Sequence, residues 1–291
     1  MTDSPDGADV ADRRTANPSF RKRFVRLRPV LGFLAAFVAV YLLAVGTGIG
    51  QSAENALIVG QADQARIFRW RQSVPPLTRG TAVLAAGVVL IIAVALIRRC
   101  WREGVAGVAI VVVTFGATQA LHAVLPRPGL RPAPHSLTGA SFPSGTVAIA
   151  AAVALGFAVV ASPRARPYVA ALGAIWVAVI AAAVQTLYWH RPSDVLGATL
   201  LACACHATAT GLLAPVGTRR CRTLPPLALA AAGALLASTR EDSGQRPLVF
   251  AGVAFACSTL LWITATGVSI RITPGRAHHT ARRPRMRDEL A

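Results

Sequence analysis

The sequence predicts an all-α, polytopic membrane helix bundle of about eight spans, and three observations predict it. Hydrophobic residues make up 54% of the 291 and charged residues only 14%. An ordinary soluble domain carries roughly 25% charged residues, so this chain has too little charge to cover a water-facing surface. Long uncharged runs recur along it, each near the ~20 residues that cross a ~30 Å hydrocarbon core as a helix. The basic residues gather between those runs, and more of them on alternate loops. The same composition excludes intrinsic disorder as a description of the whole chain. The five cysteines (Cys100, Cys203, Cys205, Cys221, Cys257) are too few and too scattered for a disulfide framework.

Taken in order, the uncharged runs are 30–50, 80–97, 105–125, 145–162, 168–188, 195–215, 224–238 and 247–268. The first follows a long basic leader and suits an uncleaved anchor better than a signal peptide. The fourth opens directly after Pro143-Ser144, and the seventh is short and opens with Pro225-Pro226. Residues 1–29 and 269–291 read as basic arms. With the N-terminus inside, the inner segments hold 21 Lys and Arg residues and the outer segments 9. The excess of positive charge on one side predicts a multi-pass protein of the cell membrane with both termini in the cytoplasm.

The formal net charge of +18 invites a nucleic-acid reading. Its distribution argues against one, because the arginines sit in short clusters between apolar runs with no basic helix or aromatic interleaving. Anionic lipid headgroups are the expected partners of the arms Arg13–Arg28 and Arg271–Arg287. Oligomeric state is not legible.

Polar chemistry concentrates in three stretches of the predicted outer side. Leu121-His122-Ala123-Val124-Leu125-Pro126-Arg127-Pro128 ends the third span, with Arg131 close behind. Ser141-Phe142-Pro143-Ser144-Gly145-Thr146 opens the fourth. Trp189-His190-Arg191-Pro192-Ser193-Asp194 opens the sixth, and Asp194 is the only acidic residue from Gly104 to Thr239. Each has a plain structural reading: snorkelling arginines, a helix N-cap, an interfacial aromatic belt. Together they read as a phosphoryl-transfer site. Arg127, with Arg131 or Arg191, supplies cationic groups, and a helix N-terminus at Ser144, Gly145 and Thr146 offers N–H groups to an anion. Gly145 lets the backbone approach a phosphate with no Cβ in the way. His190 and Asp194 are four apart and share a face if the helix begins there. An aspartate that orients one ring nitrogen leaves the other as a nucleophile. No Cys/His cluster or second outer carboxylate was apparent in this pattern, so neither a metal nor another cofactor is expected, and a phosphohistidine route fits.

On these residues the chain resembles the type 2 phosphatidic acid phosphatase superfamily, the lipid phosphate phosphatases. That family carries Lys-x6-Arg-Pro, Pro-Ser-Gly-His and Ser-Arg-x5-His-x3-Asp at the end of its third helix, the start of its fourth, and between its fifth and sixth. Here Arg127-Pro128, Pro143-Ser144-Gly145, and His190 with Asp194 stand in the same order, over roughly residues 30–215. Four family positions differ, three of them charged or titratable: Ala120 stands at the Lys, Thr146 at the His, and Ala183-Val184 at the Ser-Arg pair. The resemblance implies a six-helix phosphatase-like core (30–215), two additional C-terminal helices (216–268), His190 as nucleophile and Asp194 as its orienting partner. It implies a lipid phosphate or prenyl pyrophosphate as substrate. The family's general acid is the His replaced here by Thr146, which leaves His135 or His122 as candidate proton donors.

Two other readings stay open. One is a relative of the same fold that binds lipid phosphate without turnover, or serves as a membrane partner protein. The other is a transporter or channel, for which His206, beside Cys203 and Cys205 in the sixth span, is the best feature.

Overall fold

The computed structural model describes residues 18–57, 80–132, 141–187, 189–213 and 246–267. Among these residues there are eight α-helices and no strands. They are α1 (Pro18–Val40, continued by a π-helical turn Tyr41–Val45), α2 (Gly48–Ala56), α3 (Gly80–Ile97), α4 (Trp101–Val124), α5 (Gly145–Val160), α6 (Arg166–Thr186), α7 (Pro192–Leu212) and α8 (Arg246–Thr266). Six stretches are long and apolar enough to cross a membrane: Leu27–Val45, Gly80–Ile97, Trp101–Val124, Arg166–Thr186, Pro192–Leu212 and Leu248–Thr266. At 16 residues, α5 is apolar and shorter. The chain is thus a polytopic helical bundle.

The predicted spans correspond to helices wherever the structure describes them. The seventh, 224–238, lies outside the described residues, as do 1–17 and the tail beyond Gly267. The first span needs correction. Its expected end, 48–50, belongs to a separate helix, because the chain breaks at Gly46-Thr47. Thr47 is the N-cap of α2: its Oγ1 accepts the Gly50 N–H at 3.0 Å and its hydroxyl donates to the Leu43 carbonyl at 2.6 Å. Helix α1 also starts well before residue 30, and α4 starts at Trp101, taking in Arg102 and Glu103. Charge ends an apolar run without ending a helix, which is why runs read between charges start late.

Helix α5 is the centre of the bundle. It is packed by α3, α4, α6 and α7, while α8 lies on α6 and α7, and α1 on α7. Thirteen of the residues of α5 are buried, as expected of a helix that is apolar all round. The outside of the bundle is apolar too: Leu31, Leu43, Val89, Leu96, Val105, Val113 and Leu172 are exposed. Thr114, Thr118, Gln185 and Thr199 are buried. Apolar side chains outward and polar ones inward is the arrangement a hydrocarbon solvent favours, because there buried polar groups find partners that lipid cannot offer.

Small residues let the helices approach closely. A Cβ on Gly107 of α4 would stand 3.1 Å from the Gly156 carbonyl of α5, and one on Gly156 would stand 3.0 Å from the Gly107 carbonyl. In α8, Cys257 lies 3.9 Å from the Val195 carbonyl near the start of α7, and Leu261 packs toward Gly173 near the start of α6. Helix α8 therefore runs in the same sense as α7.

The end of the bundle where α4 stops and α5 and α7 start is held by an aromatic cluster. The Phe142 ring lies 5.1 Å from Phe37 and 5.4 Å from Tyr41, centroid to centroid. The Tyr41 hydroxyl donates to the Pro126 carbonyl at 2.8 Å. A Cβ on Gly197 would fall 2.6 Å from two atoms of the Phe142 ring. Replacing Gly197 by Val is therefore expected to displace Phe142 and the Pro143-Ser144 turn behind it. The expected cost is about 1–3 kcal/mol of stability, the usual cost of overpacking. Thermal unfolding in detergent checks it.

Candidate active site

Local rules place each polar group. Ser144 has extended backbone and caps α5, its Oγ accepting the Val147 N–H at 3.4 Å. Pro192 opens α7, a position where its missing N–H costs nothing. Asp194, third in that helix, turns its Oδ2 back to accept the Arg191 N–H at 3.0 Å, the acidic half of a capping box. The Asp194 carbonyl accepts the Ser144 N–H at 2.9 Å, so the starts of α5 and α7 are tied together. Arg127 stands three residues past Val124, the last residue of α4.

These groups meet around Asp194, which is fully buried. Arg127 Nη1 donates to Ser141 Oγ at 3.0 Å and faces Asp194 Oδ1 at 3.5 Å. His190 Nδ1 faces Asp194 Oδ2 at 3.5 Å, an ion-pair distance longer than a formed hydrogen bond. The helix begins at Pro192, so His190 precedes α7. The four-residue spacing brings it to Asp194 through the entry turn, where the helical-face reading expected a continuous helix.

Helix α2 corrects the expectation that no second carboxylate joins Asp194, because it brings Glu54 to the same cluster. Glu54 Oε2 accepts from Arg127 Nη2 at 2.7 Å, and its Oε1 accepts the Ser193 N–H at the start of α7 at 2.9 Å. Asn55 Oδ1 accepts from Arg191 Nη2 at 3.0 Å, while Asn55 Nδ2 donates to the Pro132 carbonyl at 3.0 Å. Gln51 Nε2 donates to the Pro128 carbonyl at 2.6 Å and to Val45 at 2.8 Å. The polar face of α2 thus clasps the loop that carries Arg127. One signal was readable: Gln51, Glu54 and Asn55 are spaced i, i+3, i+4, one helical face, directly after a Thr N-cap.

The remaining expected residues fall in different places. Arg191 is buried beside Asn55, and its pKa is pulled below the ordinary value by burial and then by the neighbouring Arg127 guanidinium. Gly145 begins α5 with open space where a Cβ would stand. Thr146 is half-buried in the same turn. Arg131 is exposed and lies alongside Gly48 at the start of α2. His122 Nε2 is 2.6 Å from the Pro143 carbonyl, and because a carbonyl only accepts, that nitrogen carries the proton. His135 lies outside the described residues, and His206 is buried within α7. Among the described residues, no group of three His, Cys, Asp or Glu side chains is placed to hold a metal ion.

The site therefore brings two guanidinium groups, two carboxylates and one imidazole to one end of the bundle. Burial pushes the Glu54 pKa above the usual carboxylate value, and the nearby Asp194 charge adds to it. Three buried polar atoms (Arg127 Nε, His190 Nδ1 and Ser193 Oγ) have no hydrogen-bond partner among the described residues. Unpaired buried donors in a charged cluster mark a place where a polar ligand is favoured.

No curated protein and no solved structure matches the chain. The family model of the PAP2 superfamily matches residues 107–215. That stretch contains Arg127, Ser144, His190 and Asp194, and the match is consistent with a PAP2 superfamily member, a family that suggests a membrane phosphatase acting on phosphate esters.

Proposed function

We propose that this chain hydrolyses a lipid phosphate or prenyl pyrophosphate at the outer leaflet through a phosphohistidine on His190. The observation that carries the reading is the convergence of Arg127 and His190 on one buried carboxylate, Asp194, at 3.5 Å each. Asp194 orients the ring by facing Nδ1, so Nε2 is the nitrogen that attacks phosphorus. Arg127 stabilises charge on the equatorial oxygens, and the first turn of α5 at Ser144, Gly145 and Thr146 offers N–H groups and a positive dipole end to the same anion. Arg191 adds positive charge from the entry of α7, and Arg131, exposed beside the start of α2, adds charge that attracts an approaching headgroup. Water then releases phosphate from the imidazole.

The outer-side placement is supported by the loop charges, 21 against 9. The test is phosphate release from phosphatidic acid and from a prenyl pyrophosphate, using the purified full chain in vesicles of known orientation. Release when substrate is added on the side opposite the termini supports the reading. Binding of lipid phosphate without release overturns it in favour of a non-catalytic relative.

A further inference from the structure

We infer that Glu54 of α2 is the proton donor to the leaving oxygen, and that it later takes a proton from the attacking water. The inference rests on the phosphatase reading above and assigns a residue to it that neither the sequence pattern nor the family match supplies, since Glu54 lies outside residues 107–215.

The chemistry sets the need. When the bond from phosphorus to an alkyl oxygen breaks, an alkoxide leaves, and without a proton it is a poor leaving group. Among the described residues, four carboxyl or imidazole side chains lie around Arg127 and the starts of α5 and α7: His190, Asp194, His122 and Glu54. His190 is the nucleophile. Asp194 is committed to the Arg191 N–H, the Arg127 guanidinium and the His190 ring. His122 uses its Nε2 proton on the Pro143 carbonyl. Glu54 is left, and it touches the groups that hold the substrate: Arg127 Nη2 at 2.7 Å and the Ser193 N–H of the α7 start at 2.9 Å. A phosphate drawn onto Arg127 lies beside this carboxylate.

Charge balance then favours protonation of Glu54. Two guanidiniums and two carboxylates already compensate one another in a buried cluster, so an arriving phosphate dianion leaves uncompensated negative charge. Glu54 is the carboxylate best suited to take up a proton, since burial and the Asp194 charge already raise its pKa. The steps balance. The His190 Nε2 lone pair forms the N–P bond, the P–O bond breaks with its electrons passing to the leaving oxygen, and that oxygen takes the Glu54 proton. Water next gives a proton to the Glu54 carboxylate and forms a new O–P bond, and the N–P electrons return to the imidazole. Glu54 ends protonated, as it began.

The experiment compares kcat/KM for a phosphate ester of an alkyl alcohol with that for p-nitrophenyl phosphate, whose leaving group needs no proton. It uses wild type, Glu54→Gln, Glu54→Asp and His190→Ala, each shown folded by its thermal transition. Glu54→Gln is expected to lose about 10²–10⁴-fold on the alkyl ester and far less on the aryl ester, with Glu54→Asp recovering part of the alkyl activity. An equal loss on both esters, no loss, or a gain (the result if Glu54 merely blocks Arg127) overturns the assignment. If Glu54→Gln does not fold, Glu54→Asp decides: a loss confined to the alkyl ester supports the assignment, and an equal loss on both esters or no loss contradicts it. His190→Ala separates the two levels. Activity that survives it defeats the phosphatase reading itself, whereas activity lost there and insensitive to Glu54 defeats only this inference.

Discussion

Replacing His190 by alanine is expected to abolish phosphate release, lowering kcat by about 10⁴-fold or more, the scale on which loss of a nucleophile acts. The side chain is held by the entry turn of α7 and is partly exposed, with 17% of its surface accessible. Its removal should therefore leave the bundle intact. The expected signature is a thermal midpoint near that of wild type with activity at background. Retained lipid-phosphate binding is part of the same expectation, because Arg127 and the α5 N-terminus are untouched. Phosphate assays and a binding titration on one preparation check all three.

Arg127 should show the opposite combination, with loss of both activity and stability. Its side chain is 6% exposed and Glu54 only 8%, and it faces Asp194 as well. Arg127→Ala leaves two carboxylates in a buried site without their cation, a change expected to cost about 3–5 kcal/mol. Removing a charge-stabilising donor from the transition state should lower kcat/KM by about 10²–10³-fold. Arg127→Lys keeps the charge and loses the fork that reaches Ser141, Glu54 and Asp194 together, so it should restore stability more than activity. Adding Glu54→Gln to Arg127→Ala should recover part of the stability, because the orphaned carboxylate is the source of the cost. A double-mutant cycle on thermal midpoints measures that recovery.

The helices were legible because a bilayer imposes a single requirement, a long apolar run with its backbone satisfied internally. The ends of the helices were less so. Trp101-Arg102-Glu103 opens α4 although it is charged, and Gly46-Thr47 closes α1 although it is uncharged. Of the site, the spacing pointed to Arg127, Ser144, His190 and Asp194, and the structure brings these to one end of the bundle. Glu54 escaped because α2 straddles the boundary drawn between a span and a loop. Its first three residues counted as the end of a span and the other six, with Gln51, Glu54 and Asn55 among them, as a connection, so these were never read as one helical face. The Phe37–Tyr41–Phe142 cluster and the close fit of Phe142 over Gly197 have no local signal at all, since the partners are far apart in the chain and meet only after the bundle packs.

The central claim is that the imidazole of His190 becomes covalently bonded to phosphorus. It is tested most directly by quenching the enzyme during turnover of a lipid phosphate, under alkaline conditions that preserve phosphoramidates, and mapping the added phosphoryl mass by peptide sequencing. The expected result is a phosphoryl group on Nε2 of His190, present only while substrate remains. Steady turnover with that histidine unmodified, or with the label on another side chain, would contradict it.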